Sequence, residues 1–388
     1  MLSNHDIRAC LKYDVIMHAL KSRDLGKLEN REIVIFGSGS TCVEFLDLLF
    51  LREIHPKNIS ILDSFKEGFI QSPFGSIKIL KMTSSTLVSG ILIIATCHWH
   101  NVLDIWKESL PNDFYLVSNE LIHDANPIGQ LGSFYISKEL IIEKSDVKAS
   151  IMHAFADSNS RDLFELALEL RSGMEEEIFF EEILNRHVRS EAINAKYDFL
   201  SSMENFDYVI DGGIFDGSEI PELTELLTEN GQYHGFDPNL QNIRSDIYES
   251  TKEDQRIKLY KTALWDSRTT LAFDSEKGAA SGLLFKQESD LHEIKLVNTS
   301  VLDDHFKDIE GKRCLIKLDI EGAELMALRG GLGFFKNNRM CFAISMYHRA
   351  TDLFDIPEFL LDINKKFQFR IGITNPTFVD WVIYAFEQ

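Results

Sequence analysis

Basic residues are scarce in this chain of 388 residues: 40 Lys and Arg stand against 61 Asp and Glu, a formal charge of −21. Binding to nucleic acid or to an anionic lipid surface relies on Lys and Arg to neutralise phosphates, so neither is expected as a partner. Cysteine is sparse as well. Cys10, Cys42, Cys97, Cys314 and Cys341 are scattered, odd in number and form no Cys-x-x-Cys, which argues for reduced thiols in the cytoplasm rather than a disulfide framework. No apolar run reaches the roughly 20 residues that span a bilayer. The opening MLSNHDIRACLKYD lacks the basic-then-apolar design of a secretion signal.

What is present is enough apolar material for real cores, 44% of residues including 28 Phe, and a length that favours two domains of ordinary size. In REIVIFGSGSTCVEFLDLLF a short buried strand (Ile33–Phe36) meets a Gly-x-Gly turn and an apolar helix. NISILDS and GILIIATCHWH read as further strands, and NVLDIWKESL as a helix. Strands alternating with helices imply a doubly wound parallel sheet, here a Rossmann-like domain over residues 1–120. Residues 121–205 have helical periodicity and heavy charge, and read as a helical connector packed on the second domain. From 206 the alternation resumes: strand Tyr208–Asp211, a helix over EIPELTELLTEN, then the strands YHGFD, IKLYKTALWD, CLIKLD and MCFAISMYH. FQFRIGIT and VDWVIYAF close residues 206–388 as a terminal antiparallel hairpin. The fold class expected is α/β, two doubly wound Rossmann-like domains joined by the connector.

Three stretches carry chemistry. DGGIFDG places Asp211, Gly212, Gly213 and Gly217 where the first strand of the second domain turns into a helix. A carboxylate at that turn disfavours phosphate and suits a ligand with an amino group or other cation, such as S-adenosylmethionine. Asp237, ending the next strand, is placed to accept two ribose hydroxyls. The bland alternative is a tight turn with an ordinary helix cap. In IKLDIEGAE, strand alternation puts Lys317, Asp319 and Glu321 on one side, costly in a central strand unless the groups are paired or line a cleft. A structural Lys–carboxylate cluster with a helix cap by Glu321 is the alternative. AISMYHR brings Ser345 and His348 beside Asp319 if the two strands are neighbours, and a His beside a carboxylate is placed to act as a base, although a packing role is the ordinary one. In the first domain, FGSGSTC has Gly37 and Gly39 but Cys42 in place of a third glycine, and Asp63 could meet a ribose. A scaffold or dimerisation role without nucleotide is the plainer reading. Cys97, His98 and His100 in CHWH fit a strand-end loop better than a metal site.

In this order, VIDGGIFDGSEI, YHGFDPN, TALWDS, SVLDDHF, LIKLDIEGAELMALRGG, AISMYHRATDLFDIP and RIGITNPTFVDWVIYAF resemble the FkbM-type methyltransferases, a branch of the S-adenosylmethionine-dependent class built on a seven-stranded sheet. The likeness covers roughly residues 200–388; a weaker one, through IVIFGSGS and ADSNSRDLFELALELRSG, extends to an N-terminal nucleotide-fold unit and connector. The resemblance implies methyl transfer, usually to oxygen, on a sugar, glycan or natural product. It assigns Asp211, Gly212, Gly213 and Gly217 to the cofactor turn, Asp237 to the ribose, Ala263 and Leu264 to the adenine side, and Asp319, Glu321 and His348 to the acceptor side. One departure is Ile214-Phe215, where many members have Ala-Asn, leaving less room along the methionine tail. The mechanism expected is in-line transfer with His348 as base and Asp319 orienting it, or the reverse. Asp319 and Glu321 as ligands of a metal are an alternative, and no metal is assigned. The partner expected is a small-molecule or carbohydrate acceptor, with a homodimer possible. Two other functions stay open: a catalytically silent binding module on the same fold, and an oxidoreductase using the first domain.

Overall fold

A computed structural model describes residues 19–20, 22–38, 40–63, 67–82, 90–95, 114–117, 136–172, 197–274, 294–373 and 381–387. The chain divides into two units, residues 1–135 with 169–189 and residues 136–168 with 190–388. CHWH and NVLDIWKESL lie outside the described residues.

Among the described residues the first unit holds seven strands: β1 (Ala19–Leu20), β2 (Glu32–Phe36), β3 (Asn58–Asp63), β4 (Gly68–Ser72), β5 (Gly75–Lys81), β6 (Ile91–Ile94) and β7 (Phe114–Val117), in the order β1-β7-β6-β2-β3-β5-β4. All pairs are parallel except the β4–β5 hairpin, which the sequence pattern does not separate. β2 and β6 are buried along almost their whole length, as strands covered on both faces must be. Phe45, Leu46 and Leu49 from helix α1 (Ser40–Leu51) complete their core. After β2 the chain turns at Gly37, φ +100°, and Ser38 donates to the Asp63 carboxylate from its N–H (3.1 Å) and its hydroxyl (2.7 Å).

The second unit is built on β8 (Phe206–Gly212), β9 (Leu227–Phe236), β10 (Ile257–Tyr260), β14 (Arg313–Leu318), β15 (Arg339–Ser345), β16 (Gln368–Ile373) and β17 (Trp381–Phe386), ordered β10-β9-β8-β14-β15-β17-β16. β17 is antiparallel to both neighbours, β15 and β16. Succession reverses between β8 and β14, the point where open α/β sheets bind ligands beyond the strands' carboxyl ends. A smaller sheet of β11 (Ala263–Leu264), β12 (Thr270–Asp274) and β13 (Ile294–Ser300) buries Ala263 and Phe273 against Ala323, with Ile320 packed alongside. It thereby covers the loop that succeeds β14.

Two expectations change. The helix after Glu219 stops at Glu225, and β9 begins at Leu227, because Leu227 pairs with Phe206 and extends the sheet. IKLYKTALWD is two strands in two sheets, β10 and β11. Residues 136–168 group with this unit: Phe155 bridges Phe369, and Ile371 N–H donates to the Ser160 hydroxyl (3.1 Å). Among the described residues no helix is long and apolar enough to cross a membrane.

Candidate active site

The turn after β8 requires glycine for a specific reason. Gly213 has φ +87°, and a Cβ there would lie 1.9 Å from the carbonyl oxygen of Asp319. Asp319 N–H donates to the Gly212 carbonyl (3.0 Å), and Gly213 N–H to Phe236 (2.9 Å). The glycine turn and the loop after β14 are therefore in backbone contact at the reversal point. Gly217 is also left-handed, φ +79°, but its surroundings are side-chain methyls of Ile243, Ile247 and Ile220. Asp237 closes onto the same turn. Its carboxylate accepts the N–H groups of Phe215 (3.1 Å) and Asn239 (2.7 Å). Burial raises its pKa, and these N–H groups and Lys317 work against the rise. Ala263 and Leu264 are buried, and Leu264 Cδ1 stands 3.1 Å from where a Gly212 Cβ would be.

The crowding expected from Ile214 is not found. Its side chain is in the core against Gly235, away from the turn's open side. Phe215 is the exposed member of the pair, and it holds φ +49°, rare for a bulky residue.

Asp211 lies behind the turn with no exposed surface. Lys317 Nζ is 2.9 Å from its Oδ1 and 3.1 Å from Glu219 Oε2, and donates to the Gly213 carbonyl (2.8 Å). Tyr233 donates its hydroxyl to Asp211 Oδ2 (2.5 Å), and Tyr197 to Glu219 (2.8 Å). Asp211 thus shapes the turn from inside the protein, its pKa raised by burial with Lys317 opposing. Tyr197, Glu219 and Tyr233 carry no sequence signal for this, since they come from three separate segments.

Lys317, Asp319 and Glu321 do not share a side. β14 ends at Leu318, and the chain leaves strand geometry through Glu321 (φ +57°) and Gly322 (φ +91°). Lys317 stays with Asp211, while Asp319 and Glu321 turn to His348. His348 Nε2 is 3.6 Å from Asp319 Oδ1 and 3.5 Å from Glu321 Oε2, and Nδ1 is 3.0 Å from Glu324 Oε1. Tyr347 donates its hydroxyl to Asp319 Oδ1 (3.0 Å). Burial alone would lower the imidazole's pKa, but Glu324 and Glu321 outweigh it and hold His348 well above its ordinary value. Glu321 is raised, chiefly by burial. A left-handed non-glycine residue of this kind costs on the order of 1–3 kcal/mol and is concentrated at functional sites.

Two members of this group are not evident from the sequence. Glu324, 1% exposed, accepts the Ile320 N–H at 2.8 Å. It is the last residue of the quoted IKLDIEGAE, where its helical position gives no hint of the contact. Asp352 accepts the Arg349 N–H (2.7 Å), and burial with the nearby Glu324 charge pushes its pKa up to about 7. Ser345 is buried on β15.

The second unit's seven-stranded sheet, with β17 reversed, is an α/β sheet like those of methyltransferase-fold structures. Residues 211–371 match the family model of the methyltransferase FkbM domain. No curated protein matches the chain. Among solved structures it is similar to the methyltransferase FkbM of Methylobacillus flagellatus, 16% identical with a TM-score of 0.57, over 99% of this chain and 100% of that one. It is also similar to the precorrin-6y C5,15-methyltransferase of Geobacter metallireducens (12% identical, TM-score 0.28, 52% of this chain and 89% of that one). A third likeness is to a SAM dependent methyltransferase from Aquifex aeolicus (10%, 0.27, 55% and 98%).

Proposed function

We propose that the second unit uses S-adenosylmethionine to methylate a hydroxyl of a sugar, glycan or natural-product acceptor. The observation carrying this reading is the backbone contact between Gly213 and Asp319, which sets the cofactor-side carboxylate Asp237 and the acceptor-side carboxylates Asp319 and Glu321 around one sheet-reversal point. The donor set fits the cofactor. Lys317, the ammonium at the turn, is engaged by Asp211, Glu219 and the Gly213 carbonyl, so the turn offers carboxylates and carbonyls to a ligand that is cationic and lacks phosphate.

S-adenosylmethionine supplies, when bound, a methyl already activated on a sulfonium. The chain's own residues supply alignment and proton transfer. Each Asp237 oxygen accepts one backbone N–H and keeps lone pairs for ribose hydroxyls. Gly213 and Gly217 bare the backbone along the turn, with Ala263 and Leu264 beside it. Asp319 takes the acceptor's proton, a contribution of ~10²–10⁴. His348 lies against Asp319, Glu321 and Glu324 and positions the first two. This is one of the two orders left open by the sequence. A silent binding module is the second reading, favoured by Phe215 standing exposed at the turn.

Calorimetry of the full chain with S-adenosylhomocysteine tests the cofactor assignment. Binding that weakens at least tenfold in Asp237→Ala supports it; no binding to the unaltered chain refutes it. Transfer of labelled methyl to any small molecule or glycan of a cell extract separates the enzyme from the silent module.

A further inference from the structure

We propose that Asp319, Glu324 and His348 hold a divalent cation. One donor atom from each lies within 4.8 Å of the other two. Donors around a cation at its usual 2.0–2.3 Å bond lengths sit about 3–4.5 Å apart, so the group is spaced for an ion with little rearrangement. Glu321 Oε2, 3.5 Å from His348 Nε2, is within reach as a fourth donor.

A second observation separates this group from an ordinary acidic cluster. The His348 side chain is 7% exposed and that of Glu324 is 1% exposed; Oε2 of Glu324 has no hydrogen-bond partner, and the ring nitrogens of His348 meet only carboxylates, as ion pairs. The short Nδ1–Glu324 approach is off the line of a hydrogen bond. Leaving a buried polar atom unpaired costs about 1–3 kcal/mol, more when it is charged, and native proteins rarely tolerate it without an ion or ordered water. Here three carboxylates converge on one imidazole. A divalent ion would take the place of the ring proton that these carboxylates favour, satisfy the orphaned oxygen and reduce the excess negative charge.

The donors define the class of ion. Two carboxylates and one imidazole, with no thiolate, suit a borderline or hard cation such as Mn²⁺, Zn²⁺ or Mg²⁺. The described cysteines, Cys42, Cys314 and Cys341, are buried in a helix and two strands. The three ligands come from the loop after β14, the adjoining helix (Glu324–Arg329) and the loop after β15, so no single short motif holds them all. The use of the ion rests on the methyltransferase reading: a coordinated acceptor hydroxyl would have its pKa lowered and so lose its proton more readily. Binding of the ion does not rest on that reading.

The full chain, stripped with chelator and desalted, is titrated with Mn²⁺ while the free ion is followed by electron paramagnetic resonance, and Zn²⁺ is then added in competition. The expected result is one bound equivalent displaced by Zn²⁺, with affinity at least tenfold weaker in Glu324→Gln and in Asp319→Asn. A free-ion signal that rises linearly from the first addition, with Zn²⁺ calorimetry equally flat, overturns the proposal, as do unchanged isotherms in both variants. If the variants fail to fold, the unaltered chain decides: one equivalent of Mn²⁺ must raise its unfolding temperature, and no rise refutes the site. S-adenosylhomocysteine calorimetry on the stripped chain reports the methyltransferase reading separately, so the failure of either is recognisable.

Discussion

Gly213→Ala is the substitution for which the structure gives the strongest prediction. Two costs combine. A side chain at φ +87° gives up about 1–2 kcal/mol relative to glycine. The new Cβ would also lie 1.9 Å from the Asp319 oxygen and 2.9 Å from its carbonyl carbon. That carbonyl cannot withdraw freely, because Asp319 N–H is bonded to Gly212 at 3.0 Å and Leu318 is fixed in β14. Forcing such a shift adds about 1–3 kcal/mol. The total, about 2–5 kcal/mol, corresponds to roughly 5–15 °C for a unit of this size. Gly217→Ala provides the control. Its φ is similar, but its nearest neighbours are methyls at 3.0 and 3.3 Å that can move, so it should lose only about 1–2 kcal/mol. Differential scanning calorimetry, read on the transition that S-adenosylhomocysteine raises, measures both, and Gly213→Ala should also weaken S-adenosylhomocysteine binding. The reasoning is refuted if the two alanine variants unfold together, or if Gly213→Ala binds the ligand as the unaltered chain does.

Lys317→Met should cost about 3–5 kcal/mol, because it leaves the buried Asp211, and the half-buried Glu219 beside it, without their cation; urea unfolding measures this, and adding Asp211→Asn should recover part of the loss, whereas additive losses would show that the pair is not coupled. His234 is pushed down to about 4 by burial, with Lys258 and His305 adding to the effect. Between pH 6.5 and 4 the unfolded state therefore binds the extra proton, so stability is full above about 6.5 and falls by about 3 kcal/mol as pH drops through this window. His234→Gln should flatten that limb of the pH–stability curve, and an unchanged slope would count against the assignment.

The strands are legible because β2, β6, β14 and β15 are nearly continuous apolar runs ended by glycine or by charge. The glycine turn is legible because few other residues take up its backbone. What strand periodicity cannot carry is anything beyond the strand itself. Alternation assigns Lys317, Asp319 and Glu321 to one side, and that holds only while the chain stays extended; the left-handed Glu321 ends it. The β4–β5 hairpin escapes notice because half of its side chains face solvent and its apolar signal is weak. Glu324 is visible in the motif and still unreadable as a site residue, since its partner His348 arrives from another strand. For Asp211 the sequence gives the position at the turn but not the enclosure by Lys317 and Tyr233.

β17 has consequences for assembly. It is buried along its length and lies between β15 and β16, touching both as an antiparallel partner. Until residues 381–386 are in place, the strand that leads to His348 has an open flank, and β16 lacks its strand partner in the sheet. During synthesis, the half of the sheet that presents the acceptor-side loop therefore waits for a segment made after all of its other pieces, and a ribosome-tethered chain lacking it would display two adhesive edges to its neighbours.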